Sequence, residues 1–133
     1  MLTTPITVRG YHCDAYGHVN NARYLEFYEE ARWNFLQPAI DDGSLGKLDI
    51  LFVVVNIEVS YKQAIVPNDQ IEVHITNVSF NNSSIVIEQE IRRGSVLCSE
   101  AKVHFVLMNK MSQKPIKITD EVRDIFNHLN STK

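Results

Sequence analysis

Three consecutive runs of alternating residues constrain this chain more than any other feature. In QIEVHIT, Ile71, Val73 and Ile75 alternate with polar neighbours. Next, Ile85, Ile87 and Ile91 alternate against Glu88, Glu90 and Arg92, and then Ala101, Val103, Phe105 and Leu107 against Glu100, Lys102 and His104. A period of two is the mark of a strand with one buried face. The stretches NNSS and RRGS between the runs are short turns, so the spacing predicts three antiparallel neighbours. A fourth run, LFVVVNIEVSYKQAI at 51–65, is β-branched and apolar enough at its start to be buried on both faces. Residues 6–12 supply a fifth strand, with Ile6 and Val8 alternating against Thr7 and Arg9.

A sheet with one apolar face must bury it against another element. From Asn21 to about Leu36 the period becomes helical. Tyr24, Phe27, Tyr28, Ala31 and Phe35 form one stripe, widened by Leu25 and Leu36, while Arg23, Glu26, Glu29, Glu30 and Asn34 lie opposite. Trp33 projects from the polar face, where a subunit contact would cover it. Gln37-Pro38 is expected to end the helix, because proline disfavours helical geometry in the residue before it. Residues 39–50 read as a loop with one short turn. ITDEVRDIFNHL closes the chain as a short helix, with Thr119 as N-cap, Asp120 and Glu121 in the first turn, and Val122, Ile125, Phe126 and Leu129 as its stripe. The expected fold class is α+β: one domain over residues 1–133, with a five-stranded antiparallel sheet packed on a long helix and a short C-terminal helix.

Composition narrows the partners. A net charge of -3 without a basic run gives a nucleic acid little to bind, and Arg92-Arg93 beside Gly94 reads as an ordinary turn. No apolar run approaches the ~18 residues of a membrane span. The N-terminus is too polar for a secretory signal. Cys13 and Cys98 stand in no paired-ligand spacing and are expected as free thiols in a reducing compartment. These features together suggest a cytoplasmic protein with no membrane span.

The chemistry concentrates in YHCDAYGHVNNARYLEFYEEAR, residues 11–32. Asp14 precedes the helix by about six residues, and Asn20 or Asn21 already serves as its cap, so the acid is spare. Gly17 allows the turn between them. The first N–H groups of a helix are unsatisfied and carry the positive end of its dipole. A carbonyl oxygen held there gains stabilisation as charge develops on it. A carboxylate, ionised at neutral pH, can attack that carbonyl or activate a water. Acid plus helix N-terminus is therefore a minimal kit for acyl hydrolysis.

This string, followed by FVVVNIEVSYKQ, resembles the hotdog-fold acyl-CoA thioesterases of the 4-hydroxybenzoyl-CoA thioesterase-like family, and within it the FadM-type long-chain acyl-CoA thioesterases. The resemblance spans nearly the whole chain and implies a hotdog fold, with the sheet wrapped around a long central helix. It implies hydrolysis of a medium- to long-chain fatty acyl-CoA to free acid and CoA, with no cofactor and no metal. Residue by residue, it puts the family's nucleophile or general base on Asp14. The carbonyl-polarising N–H falls on the backbone of Asn21, and His18 falls within the catalytic motif. Gly17, Val19, Asn20 and Tyr24 become substrate-binding positions. A neighbouring subgroup carries histidine where this chain has Asn21, so no acid–base role transfers to that side chain. The family's sites lie at a dimer interface, which implies a homodimer or homotetramer.

Other readings stand beside this one. His12, Asp14 and His18 are metal-ligand types, but their spacing fits no ligand pattern. His74, His104 and His128 read as structural. Some hotdog thioesterases use a helix glutamate, which makes Glu26, Glu29 and Glu30 alternative acids, although their position reads as a solvated face. A hydratase or dehydratase acting on acyl thioesters, and a non-catalytic acyl-CoA binder, are the rival activities. Lys62, Arg92, Arg93 and Lys102 are candidates for meeting the CoA phosphates.

Overall fold

The computed structural model describes residues 2–131; Met1, Thr132 and Lys133, at the ends of the expected domain, lie outside the described residues. Strand β1 (Leu2–Thr7) leads through a 3-10 turn at Gly10–His12 into helix α1 (Asn21–Asp41). Strands β2 (Ile50–Tyr61), β3 (Gln70–Phe80), β4 (Ser84–Arg93) and β5 (Val96–Asn109) follow, then the two-residue β6 (Pro115–Ile116) and helix α2 (Asp120–Ser131). The sheet is antiparallel in the order β1-β3-β4-β5-β2, with β6 paired to β5.

The alternating faces are arranged as their pattern demands. Ile71, Val73, Ile75, Ile85, Ile87, Ile91, Ala101, Val103 and Leu107 are all buried, and so is the α1 stripe of Tyr24, Phe27, Tyr28, Ala31 and Phe35. Two clusters share this core. Near the start of α1, Tyr24, Phe27 and Tyr28 pack with Val73, Ile91 and Ala101. Further along, Phe35 packs with Ile75, Ile85 and Leu107 beneath Val122, Phe126 and Leu129 of α2. Fully burying such a side chain contributes about 1.5–3 kcal/mol. Thr119 caps α2 by accepting from the Val122 N–H at 3.2 Å.

Several expectations need correction. The first strand occupies residues 2–7, not 6–12, because Gly10–His12 turn away; Pro5 is tolerated there because β1 is an edge strand. Helix α1 continues through Pro38 to Asp41. Ala39 in that extra turn is buried in the second cluster, and this packing offsets the backbone bond proline cannot make. The sheet gains β6 as a sixth strand. Strand β2 stops at Tyr61, and its apolar start is not buried on both faces: Leu51, Val54 and Val55 are exposed, because β2 lies at the sheet edge. On α1, Leu25 is exposed whereas Arg32 is buried.

Candidate active site

The loop that carries Asp14 is closed on itself before it meets the helix. A bridge pairs Cys13 with Val19, the Asp14 N–H donates to the His18 carbonyl at 2.8 Å, and the Gly17 N–H donates to the Asp14 carbonyl at 3.1 Å. Gly17 sits at φ +76°, a backbone conformation that glycine adopts without steric cost. The Asp14 Oδ1 accepts from the Tyr16 N–H at 2.9 Å and the His18 N–H at 3.4 Å. Among the described residues Oδ2 has no partner, and the residue is exposed. Half of the carboxylate therefore holds the turn, and half is available for chemistry. The His18 side chain is exposed, while its backbone closes the turn.

Two main-chain bonds pin this loop to the protein. The Val19 N–H donates to the Ile65 carbonyl at 2.8 Å, and the Asn20 N–H donates to the His12 carbonyl at 2.9 Å. The Val19 side chain is only 3% exposed and belongs to the core. Asn20 is the N-cap of α1, its Oδ1 accepting from the Ala22 N–H at 2.9 Å. The Asn21 N–H, first in the helix, has no hydrogen-bond partner among the described residues. It is thus the kind of unsatisfied helical donor that an acceptor on a ligand can use.

Beneath the helix start lies an aromatic floor. Tyr24 is buried and meets Tyr61 edge to face at 4.8 Å. Burial chiefly, with the neighbouring Cys98 and Tyr61, pushes its phenol up to about 12, so its hydroxyl stays protonated through the physiological range. Tyr61 Oη donates to the Asn21 carbonyl at 3.1 Å, fixing the first residue of the helix from the end of β2. In the sequence Tyr61 carries no signal of this role beyond being an aromatic at the end of a strand. His12 accepts the Arg9 N–H on Nδ1 at 2.9 Å and sets its ring edge-on to Phe27 at 5.0 Å. Its pKa is lowered, by burial first and then by Arg23.

The alternative residues are engaged elsewhere. Glu26 pairs with Arg23 at 2.8 Å, and Glu29 and Glu30 are exposed. No cluster of three metal-ligating side chains occurs among the described residues. Thr3 Oγ1 and His74 Nδ1 lie 2.9 Å apart, as do His104 Nε2 and Glu58 Oε2. The four cations considered for CoA phosphates are each ion-paired: Arg92 with Glu90 at 2.8 Å, Arg93 with Asp69 at 3.1 Å, and Lys62 and Lys102 with Glu100 and Glu88 at 3.9 Å. A hollow of about 340 Å³ on the sheet is lined by Glu58, Glu88, Glu90 and Glu100 together with Lys102, an excess of negative charge that disfavours an anionic ligand. Arg93 also donates to the Ala64 carbonyl at 2.9 Å, holding the 62–69 loop whose Ile65 carbonyl anchors Val19.

An antiparallel sheet laid along one long helix is the hotdog arrangement. The chain matches the family model of the thioesterase-like superfamily over residues 8–126 and belongs to that family. It is similar to the long-chain acyl-CoA thioesterase FadM of Escherichia coli strain K12, with 38% identity over 126 residues, covering 92% of this chain and 95% of that protein. The acyl-CoA thioesterase YbgC of Haemophilus influenzae is 29% identical over 127 residues, covering 94% and 93%. Among solved structures, YbaW, a probable thioesterase from Escherichia coli, superposes with a TM-score of 0.89 at 35% identity, covering 97% of this chain and 98% of that one.

Proposed function

We propose that this chain is an acyl-CoA thioesterase that releases a medium- to long-chain fatty acid and CoA, with Asp14 and the Asn21 N–H as its working groups. One observation carries the reading. Among the described residues, a carboxylate with one oxygen free and a helix N–H without a partner sit seven residues apart, on a loop pinned to the core and at the start of the helix that follows it. The thioester carbonyl oxygen docks on the Asn21 N–H. Asp14 either attacks the carbonyl carbon or takes a proton from a water that does. Negative charge gathers on the oxygen at the helix N-terminus, where it is most stabilised. The carbon–sulfur bond then breaks and the CoA sulfur leaves as thiolate to be protonated. In the direct-attack route a water hydrolyses the resulting anhydride.

The remaining positions support that step. Gly17 keeps the turn, Val19 and Asn20 fix the backbone against the substrate, Tyr24 forms the floor, and His18 borders the site. The domain spans 1–133 and acts as a homodimer or homotetramer in the cytoplasm. No helix among the described residues is long and apolar enough to cross a membrane.

The test is CoA release from acyl-CoAs of graded length by wild type and Asp14→Asn. The asparagine oxygen still accepts from the Tyr16 N–H, so the turn survives while the charge is lost. Turnover should fall by ~100-fold or more at an unchanged unfolding midpoint. Near-normal release by that variant sinks the mechanism.

A further inference from the structure

Arg32 is the last residue of the sequence motif, and the hydrolytic step makes no use of it. Its side chain is buried, with 9% of its surface exposed, yet no carboxylate bonds it. Nη1 donates to Gln89 Oε1 at 3.1 Å, a neutral partner that spends its own amide on the Tyr28 carbonyl. The guanidinium carbon stands 5.6 Å over the Phe105 ring, a cation–π contact. Nε and Nη2 have no hydrogen bond among the described residues, and neither is sealed from solvent. Arg32 lines a hollow of about 170 Å³ beside α1, together with Glu29, Trp33, Leu36, Phe52, Val54 and Phe126. Glu29 lies near enough to favour the charge but does not bond it, so two guanidinium nitrogens are left to solvent or a ligand.

The hollow lies on the same flank of α1 that starts at the proposed site. Asn21, Leu25, Glu29, Arg32 and Leu36 follow one another at spacings of four, four, three and four, so they line one flank of α1. Tyr61 of β2 touches that flank at Asn21, and Phe52 and Val54 of β2 line it beside Arg32. Eleven residues separate Asn21 from Arg32, roughly 16 Å at 1.5 Å per residue. A zigzag alkyl chain, advancing ~1.25 Å per C–C bond of ~1.5 Å, spans that length with roughly a dozen carbons.

The geometry points to Arg32 as a specificity-determining residue: it receives a hydrogen-bond acceptor, hydroxyl or carboxylate, at the distal end of an acyl chain laid along this flank. The inference rests on the thioesterase reading for the placement of the thioester. The free donors of the guanidinium meet the oxygen, and the apolar walls hold the methylenes. Glu29, which also lines the hollow, offsets the charge of Arg32 and repels a carboxylate, so the neutral hydroxyl is favoured over the carboxylate.

Trp33 is the sole tryptophan of the chain and lines the hollow, so its fluorescence reports binding without any hydrolysis. Titration with dodecanoate, 12-hydroxydodecanoate and dodecanedioate should show at least one oxygenated chain binding about tenfold tighter than dodecanoate, or more. Arg32→Met keeps the length and apolar stem and should level the three affinities, while Arg32→Lys should retain part of the preference. Equal affinities in wild type, tighter binding of dodecanoate, or a preference that survives Arg32→Met would each overturn the assignment. CoA release from the matching thioesters is measured in parallel. Absence of all hydrolysis counts against the thioesterase reading, while the fluorescence titration still decides the role of Arg32.

Discussion

His12 is held three ways: its carbonyl receives the Asn20 N–H, its Nδ1 receives the Arg9 N–H, and its ring meets Phe27 of α1 edge-on. Burial disfavours the charged ring, and Arg23 and then Arg9 repel it, only partly compensated by Glu26. The folded pKa thus lies below the usual 6.5, and the unfolded chain binds the proton more readily. The associated stability is fully present above about pH 6.5 and is lost as pH falls toward the folded value. Thermal unfolding of wild type from pH 8 to 5 should decline below that point, and His12→Asn should show a shallower decline. Parallel profiles would dismiss this account. Much of the residue scale was legible: a short polar residue before a helical run is a cap by its own chemistry, and Asn20 is one. Arg32 was not, because its partner Gln89 lies 57 residues away and no local period reports that meeting.

At the scale of elements, alternation located β3, β4 and β5 because each has one wet and one dry face. The same reasoning misjudged β2, whose apolar start lacks a covering layer in the single chain. It also misplaced the end of α1. A proline penalty is local, whereas burial of Ala39 under α2 is tertiary and opposes it. Pro38 is exposed and breaks one backbone bond of that helix, to the Asn34 carbonyl. Pro38→Ala restores the donor but gives back some unfolded-state freedom. The net should be stabilisation by ~1–2 kcal/mol, seen as a higher midpoint in denaturant with unchanged slope. A lower midpoint would mean that proline is better accommodated in this turn than its missing bond suggests. Phe35→Ala, in the fully buried layer between the sheet and α2, should cost ~3–5 kcal/mol by the same measurement.

For the whole molecule, the two sheet edges are unequal. Strand β1 is six residues long and carries a proline, which discourages further pairing. Strand β2 runs twelve residues, is bulged between Val54 and Asn56, and leaves Leu51, Val54 and Val55 open, with Trp33, at 55% exposure, lining the same hollow as Val54. A long apolar edge of this kind is an invitation to another strand. A second copy would satisfy it symmetrically, each β2 pairing with the other. Such pairing would roof the flank of α1 that leads from Asn21 to Arg32, so assembly and substrate binding would share one surface. Light scattering should therefore give a dimeric or larger mass. Val55→Lys, at a bulge position that is 57% exposed, should shift the mass toward monomer while barely changing the midpoint of unfolding. CoA release should fall with the fraction of dimer, and raising the protein concentration should recover both together. A monomeric wild type with full activity would place the entire site within one chain and leave the exposed edge of β2 to some other partner.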